Sequence, residues 1–241
     1  MKKIFLAAAL LAVSCIAQAQ SWPTKPIRLV VPFAPVSLLA KVPNIFVVHA
    51  DVPAKDMREF IALVKKQPGK LYYGSAGNGS AGHLAMEYLK LVAGMDIQHV
   101  PYKGTGPNLV DLVAGRTHAT SAGSPPLMPH VKAGKLRVIA VGTPQRLASL
   151  PDVPTVAEQG YPGFETTQWY GIHAPAKTPP AIIKRLADEA AKAARTPSVA
   201  ERFKVDDAEA VGSTPEEYAK YVAAEQQRWG EVVRKANIKV N

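Results

Sequence analysis

The chain has 241 residues, enough for one large domain or two small ones, and 47% of them are hydrophobic. It contains a single cysteine, which excludes an intramolecular disulfide. Its formal net charge of +10 at pH 7 comes from basic residues that are scattered along the chain. Such an excess favours small anions, or simply a solvated surface, over nucleic acid as its explanation.

The N-terminal segment, residues 1–19, is typical of a secretory signal peptide. Two lysines precede an apolar run over 4–13, and Ala17 and Ala19 place small residues where signal peptidase reads them. We therefore expect cleavage after Ala19 and a periplasmic mature protein. The alternatives are a buried N-terminal helix and a lipoprotein site at Cys15, whose preceding residues match that site poorly. No later segment approaches 18 uninterrupted apolar residues, so no other membrane span is predicted.

Strand and helix patterns alternate along the rest of the chain. The β-branched run Ile27–Val31 predicts a strand, and two further apolar runs, Val36–Ala40 and Ile45–Val48, are divided by Pro43. The other predicted strands are 71–73, 97–100, 119–122, 136–141 and 166–173. The predicted helices are 57–67, 80–93, 108–114, 126–132, 179–194 and one that starts at 215. This alternation predicts an α/β fold with mostly parallel strands.

The last predicted helix has the clearest start signal. Thr214 is a good N-cap, Pro215 suits the first helical position, and Glu216 and Glu217 place acids in the first turn. An apolar stripe then follows at helical spacing, and such a stripe indicates core packing. It consists of Tyr218, Val222, Trp229 and Val233.

A glycine-rich loop lies between the predicted strand at 71–73 and the helix that follows. Gly74, Gly77 and Gly79 let the backbone turn freely and approach a ligand closely. The helix begins with free N–H groups and a partial positive charge, and Ser80 or Asn78 can cap it. The pattern predicts an anion site for a carboxylate or phosphate, with a plain strand-to-helix turn as the alternative. It matches neither a P-loop nor G-x-G-x-x-G.

Two more loops follow predicted strands. Tyr102, Lys103 and Gly104 offer a phenol, an ammonium group and a flexible backbone at a strand's carboxyl end, where open α/β sheets bind ligands. Simple surface exposure of Lys103 is the alternative. At Gly123 and Ser124 a strand end, a glycine and a helix start coincide again, which is a weaker signal.

No catalytic or metal-binding pattern is recognisable. The six histidines lack zinc-site spacing, and His83, one turn into the helix after the glycine loop, either faces a cleft or has a structural role. The segment 74–77 does not have the spacing of a nucleophile elbow, and no Ser-His-Asp set emerges. The sequence therefore predicts no metal, no cofactor and no enzymatic activity.

Several stretches occur in a characteristic order along the chain. They are Trp22–Phe33, Tyr73–Ser80 with His83-Leu84, His99–Gly104, Pro129–Arg137, Leu150–Glu158 and Ala174–Ala176. Together these stretches resemble receptors of the tripartite tricarboxylate transporter system, also called the Bug family. The likeness runs from the N-terminal segment to the C-terminal helix.

The resemblance implies a fold like that of type II periplasmic binding proteins, with two lobes that close on a hinge around a small carboxylate solute. It also implies that the loaded receptor docks on integral-membrane permease subunits. By this resemblance, residues 51–164 form the second lobe. Residues 20–50 and 165–241 supply the interlobe crossings and what remains of the first lobe.

The same resemblance implies which residues line the cleft. On the second lobe they belong to two loops and one strand end, and Trp169 lies at an interlobe crossing. The implied ligand-binding residues are Ser75, Ala76, Gly77, Asn78, Gly79, Ser80, His83, Tyr102, Lys103, Gly104, Ser121, Gly123 and Trp169.

The sequence departs from the family pattern after Pro35. In the family, the strand that ends near this point runs into a Gly-Gly loop and a helix. Here the chain passes directly to Val36–Ala40, which resembles family sequence from much later. The first lobe is therefore expected to be incomplete, with two or three βαβ units, about 60–90 residues, missing.

Two other functions remain open at this stage. An enzyme that handles carboxylates would use His83 or Lys103, and turnover assays would identify it. An exported remnant of the same fold would serve as a sensing or interaction subunit, and it would bind no solute in calorimetry.

Overall fold

The structure, a computed structural model, describes residues 33–238, and strands and helices alternate through this range. The predicted signal peptide and the predicted strand Ile27–Val31 lie outside the described residues. The strands are β1 (Phe33–His49), β2 (Tyr72–Ser75), β3 (Gln98–Pro101), β4 (Ala119–Gly123), β5 (Leu136–Val141), β6 (Thr167–Pro175) and β7 (Glu209–Ala210). The helices are α1 (Met57–Lys66), α2 (Ala81–Ala93), α3 (Thr105–Val113), α4 (Met128–Lys132), α5 (Pro180–Ala194), α6 (Pro197–Val205) and α7 (Pro215–Lys235). No helix within 33–238 is long and apolar enough to cross a membrane.

The two apolar runs on either side of Pro43 form one long strand, β1, rather than two elements. The strand changes partners at this proline: Pro43 is paired with Thr167 of β6, and Asn44 is paired with Gly123 of β4. A proline lacks the N–H that a ladder needs, so it is tolerated where one set of partners ends and another begins. The pairing of β1 with β6 also contains two register shifts, one of them next to Pro35, where the regular hydrogen-bond ladder is interrupted.

The prediction of mostly parallel strands is wrong outside the group β2, β3 and β4. The main sheet has the order β3-β2-β4-β1-β5, with β6 and β7 paired to the other half of β1. β2 is parallel to β3 and to β4, because a crossover helix separates each of these strands along the chain. β1 is antiparallel to all four of its partners. Its second half lies between β4 and β5 in the main sheet, and its first half is paired with β6 and β7.

Apolar side chains fill both faces of the main sheet. On one face, the predicted helical stripe of α1 is fully buried with Phe46 of β1 and side chains of α2. On the other face, Ile45 packs with Leu112 of α3 and Leu127 before α4. A smaller cluster around Val36 packs β1 and β6 against α5. Successive residues of β1 thus point to opposite faces, as strand geometry requires.

The C-terminal helix α7 begins as the sequence predicts. Thr214 and Glu217 form a reciprocal capping box, with Pro215 at the first position. The predicted apolar stripe is only partly correct, because Tyr218 and Val232 are the buried residues of this helix. Tyr218 packs on the backbone of β6, and a Cβ at Gly171 would lie 2.1 Å from its hydroxyl oxygen. This close approach holds α7 beside the crossing strands. The sequence reading missed α6 and β7.

Candidate functional site

The glycine-rich loop connects β2 to α2, as predicted. Gly77 and Gly79 have φ values of +128° and +75°, a backbone region in which side chains larger than glycine are strained. Ser80 is the N-cap of α2, and its hydroxyl accepts a hydrogen bond from the N–H of His83. The segment from Ser75 to Ser80 therefore forms a tight turn that ends at the start of a helix.

Some N–H groups of this turn are occupied and others are not. The N–H of Gly77 donates to Ser75 Oγ at 3.1 Å, and the N–H of Gly79 donates to Nδ1 of His83 at 3.0 Å. Within residues 33–238, the N–H groups of Ala76 and Asn78 make no hydrogen bond. Those of the first two helical residues have no acceptor inside the helix either. The loop and helix start thus present donors suited to an anion.

His83 lies beneath the loop, not in a cleft as one interpretation of the sequence expected. Its side chain is buried, with a residue exposure of 5%, and its ring stacks on that of His99 with a centroid separation of 3.9 Å. Nε2 of His99 is 2.7 Å from Ser75 Oγ. Burial lowers the pKa of His83, and burial together with His83 and Lys90 lowers the pKa of His99 to about 4. Both rings are therefore neutral at physiological pH.

A buried polar network supports the histidine pair from below. The Tyr73 hydroxyl donates to Glu87 Oε1 at 2.5 Å, and Lys90 Nζ is 2.7 Å from the same oxygen. The Tyr73 ring stacks on His99 at 4.8 Å. Burial, with the adjacent Glu87 carboxylate, raises the pKa of the Tyr73 hydroxyl well above its ordinary value. The tyrosine therefore stays protonated and acts as a fixed donor.

The second predicted loop lies directly beside the first. The N–H of Gly104 donates to the Ala76 carbonyl at 3.0 Å, and the N–H of Tyr102 donates to that of Ser75 at 3.1 Å. The Tyr102 hydroxyl is already used, since it donates to Asp111 Oδ2 at 2.7 Å. Burial and this carboxylate raise the pKa of Tyr102 to about 12. Lys103 is exposed. This loop therefore supports, through its backbone, the segment Ser75–Ser80, which we call the anion loop.

The end of β4 lies under the start of α2. The Ser121 carbonyl oxygen would be 2.0 Å from a Cβ at Gly82, so only glycine permits this contact. A Cβ at Gly123 would be 3.3 Å from Val42 Cγ1 and 3.6 Å from Gln168 Oε1, so this position is less restricted. Ser121 Oγ and Asn44 Oδ1 are buried and have no hydrogen-bond partner among the described residues. Asn44 and Ser121 lie on the sheet face that α2 covers, since Asn44 is paired with Gly123 and Phe46 with Ser121.

A cavity of about 270 Å³ separates the α2 start from the crossing strand β6. Its walls come from the anion loop, the first turn of α2, the first half of β6 and one tryptophan of α7. The lining residues are Gly79, Ala81, Leu84, Thr167, Gln168, Trp169, Tyr170 and Trp229. The indole N–H groups of Trp169 and Trp229 both donate to Glu225 Oε2, at 3.2 and 2.9 Å. These two rings thus supply apolar walls rather than free donors.

The structure brings together only part of the predicted ligand set. Gly79 and Trp169 line one cavity, whereas the other predicted residues are not part of its lining. Ser121 instead lies under Gly82 in the first turn of α2. His83 and the Tyr102 hydroxyl are occupied in supporting contacts. Sequence reasoning missed Gly82, Gln168 and Trp229. A glycine in a helix's first turn was a usable signal for Gly82, whereas the other two reach the cavity only through the fold.

No metal centre is present among the described residues, since 33–238 contain no group of three or more histidine, cysteine or acidic side chains placed to hold an ion. Behind the tryptophan wall, the Glu225 carboxylate accepts both indole N–H groups and lies 3.8 Å from Arg228 Nη1. The wall on the other side, at Gly79 and the start of α2, presents backbone N–H groups. Such groups attract an anion without any charged side chain.

Comparison with known proteins gives a consistent result. The chain is 36% identical over 210 residues to the UPF0065 protein in the tcbD-tcbE intergenic region of Pseudomonas sp. (strain P51), covering 87% of this chain and 62% of that protein. The chain thus spans about three fifths of the length of this relative. Among solved structures, R. palustris Rpa4515 with adipate has a TM-score of 0.82 and 35% identity, covering 90% of this chain and 73% of the other.

A second solved structure is MatC from Rhodopseudomonas palustris with bound malate. It has a TM-score of 0.78 and 30% identity, and the match covers 88% of this chain and 73% of MatC. The described fold is therefore that of periplasmic binding proteins of this type. The profile of the tripartite tricarboxylate transporter family receptor matches residues 9–238. On this match, which covers nearly the whole sequence, the chain belongs to the tripartite tricarboxylate transporter receptor family.

Proposed function

We propose that the protein is a periplasmic solute receptor that captures a small carboxylate in the cavity between the anion loop and β6. One observation carries this proposal. Gly79 of the loop and Ala81 at the start of α2 line a cavity of about 270 Å³. The N–H groups of Ala76 and Asn78 in the same loop make no hydrogen bond within residues 33–238. A carboxylate placed there would receive several hydrogen bonds and the favourable field of the helix terminus.

The chemistry of the cavity supports a carboxylate with an apolar body. The indole rings of Trp169 and Trp229 provide apolar surface on the wall opposite the donors, and the Leu84 side chain adds apolar surface beside them. The net charge is +10 for the full sequence and +8 once Lys2 and Lys3 are removed with the predicted signal peptide, and it favours approach of an anion. Adipate and malate occur in the solved structures of two relatives, and both are small dicarboxylates. We infer the same class of solute for this protein.

The alternative of an enzyme is less well supported. Among residues 33–238, the contact between a serine hydroxyl and a histidine ring at this loop joins Ser75 to His99, and Ser75 is completely buried. A nucleophile must reach its substrate, and this hydroxyl is instead bonded to the loop backbone. Incubation with candidate carboxylates, followed by chromatography, would reveal turnover. We expect none.

The proposal includes export and a membrane partner. We expect the mature protein to begin at Gln20 in the periplasm, and the solute-loaded form to dock on the permease subunits of the transporter. Mass spectrometry of the periplasmic protein tests the cleavage site. A lipid-modified N-terminus at Cys15 would contradict it and would anchor the protein to a membrane instead.

A binding screen tests the central claim. Thermal shift measurements with mono-, di- and tricarboxylates should reveal a dicarboxylate that raises the melting temperature, because a ligand that binds only the native state stabilises it. Calorimetry should then give one site per chain. Binding of no carboxylate at millimolar concentration would favour the other candidate, an exported remnant with a sensing or interaction role.

A further inference from the structure

Two stacked histidines hold the anion loop at two separate points. Nδ1 of His83 accepts the N–H of Gly79 at 3.0 Å, at the end of the loop. Nε2 of His99 contacts Ser75 Oγ at 2.7 Å, and that oxygen accepts the N–H of Gly77. The rings lie nearly parallel, with an interplanar angle of 13° and a centroid separation of 3.9 Å. The loop conformation is thus fixed from below by one contiguous pair.

We propose that His83 and His99 form a neutral clamp that positions the loop for a carboxylate and releases the loop when the pair is protonated. His83 is then a positioning residue rather than a ligand-binding residue. Its imidazole occupies the Gly79 N–H and thereby fixes the direction of the neighbouring donors of Ala76 and Asn78. This inference rests on the proposed carboxylate site.

The hydrogen-bond chemistry defines the required protonation state. An N–H donor from Gly79 needs a lone pair on Nδ1, so neutral His83 must carry its hydrogen on Nε2. A proton taken from solvent would bind to that lone pair, and Nδ1–H would then oppose the Gly79 N–H. The contact would be lost, and the Gly79 N–H would have to turn toward another acceptor.

The surroundings of the pair oppose its protonation. A positive charge on either ring would lie against the other ring and near the Lys90 ammonium group. Glu87 favours protonation of His83, but its carboxylate already binds Lys90 and the Tyr73 hydroxyl. Burial is the largest influence on both rings and lowers both pKa values. The clamp therefore stays closed at neutral pH and opens in acid.

Two substitutions of His83 separate its roles. His83→Asn places a side-chain oxygen where Nδ1 lies, so it retains an acceptor for Gly79 but does not titrate. His83→Leu fills similar space without any acceptor. Calorimetry with malate and adipate at about pH 7.5 should show near wild-type affinity for His83→Asn and a loss of about tenfold or more for His83→Leu.

The pH profile provides the decisive comparison. As the pH falls from about 7.5 to about 4, the wild-type protein should lose more affinity than His83→Asn does, because only the wild-type acceptor at position 83 can be protonated. Protonation of the solute itself affects both proteins equally and cancels. Equal losses in the two proteins, or full affinity of His83→Leu at neutral pH, would overturn the clamp.

A titration without solute tests the clamp independently of the proposed carboxylate binding. In ¹H–¹⁵N spectra of the wild-type protein, the Gly79 amide signal should titrate with the same midpoint as the His83 ring, and it should not titrate in His83→Asn. If these signals behave as expected but no carboxylate binds, the clamp stands and the proposed solute is wrong. If the Gly79 amide signal does not change as the His83 ring titrates, the proposal of a histidine clamp is wrong.

Discussion

The carbonyl oxygen of Ser121 lies directly against Gly82, at 2.0 Å from where a Cβ of that residue would be. This contact packs the end of β4 under the first turn of α2 without an intervening side chain. Because the N–H groups of that turn are part of the proposed carboxylate site, the contact sets the height of the helix start above the sheet.

Gly82→Ala should therefore push α2 away from β4. The backbone of β4 cannot yield easily, so we expect a loss of about 1–3 kcal/mol in unfolding free energy and a clear loss of carboxylate affinity. Urea unfolding and calorimetry measure the two effects. Gly230→Ala is the matched control, because Gly230 is also helical and has nothing within 4 Å of its Cβ position. That variant should gain about 0.5–1 kcal/mol and bind normally.

Two glycines with positive φ angles allow the effect of backbone strain to be distinguished from an effect on ligand binding. Gly79 has φ +75° in the anion loop, and Gly94 has φ +60° at the far end of α2. Valine at either position should cost about 1–3 kcal/mol of stability, because both backbones are in the left-handed region. Gly79→Val should abolish carboxylate binding, whereas Gly94→Val should not. We expect Gly77→Val to abolish binding as well. Comparable affinity loss in Gly94→Val would show that strain alone explains the effect.

Substitution of Ser80 shows how much the carboxylate site depends on the N-cap of α2. Its hydroxyl accepts the N–H of His83 at 3.4 Å. Ser80→Ala should cost about 1 kcal/mol at most, in stability and in binding alike, if the serine only caps the helix. A much larger loss of affinity in calorimetry, with normal stability, would mean that the hydroxyl contacts the solute directly.

Much of the structure of this loop could be predicted from local sequence patterns. The glycines, the N-cap at Ser80 and the alternation of strand and helix could be read from the sequence, because each depends on neighbouring residues. The orientation of His83 on α2 could not, since its partner His99 comes from β3, a separate element. The far wall of the cavity, with Gln168 and Trp229, also depends on where β6 and α7 pack, which no local pattern specifies. The antiparallel course of β1 was missed for the same reason.

Stability should fall in mild acid. Burial, His83 and Lys90 lower the pKa of His99 from its ordinary 6.5 to about 4, so the folded state binds fewer protons between these values than the unfolded state does. The contribution is fully present above pH 6.5 and decreases as the pH falls toward 4. Urea unfolding at several pH values should show this slope, and His99→Gln should reduce it. Burial also lowers the pKa of His118, so part of the slope should persist. A slope unchanged by His99→Gln would contradict the assignment.

The last prediction concerns the junction at Pro35 and Val36, which lies inside β1 next to a register shift. The sequence resemblance predicts that a segment of the first lobe is missing here. Phe33 just before the junction is 61% exposed, and open cavities of about 870 and 560 Å³ flank the strand at Ala34 and Pro35. A missing segment would leave apolar surface of this kind, and such surface favours self-association.

A chimera that restores a Gly-Gly loop and its helices after Pro35, taken from a relative, should close the cleft from the second side. Closure would add a second set of backbone donors to the carboxylate, so binding should tighten by about 100-fold or more. Gel filtration should also show less self-association than for the natural chain. As a control, a chimera with the same segment but with Gly77→Val should remain monomeric without binding. If the natural chain binds a carboxylate as tightly as the chimera does, then Pro35-Val36 is a natural connection and the first lobe lacks nothing that binding requires.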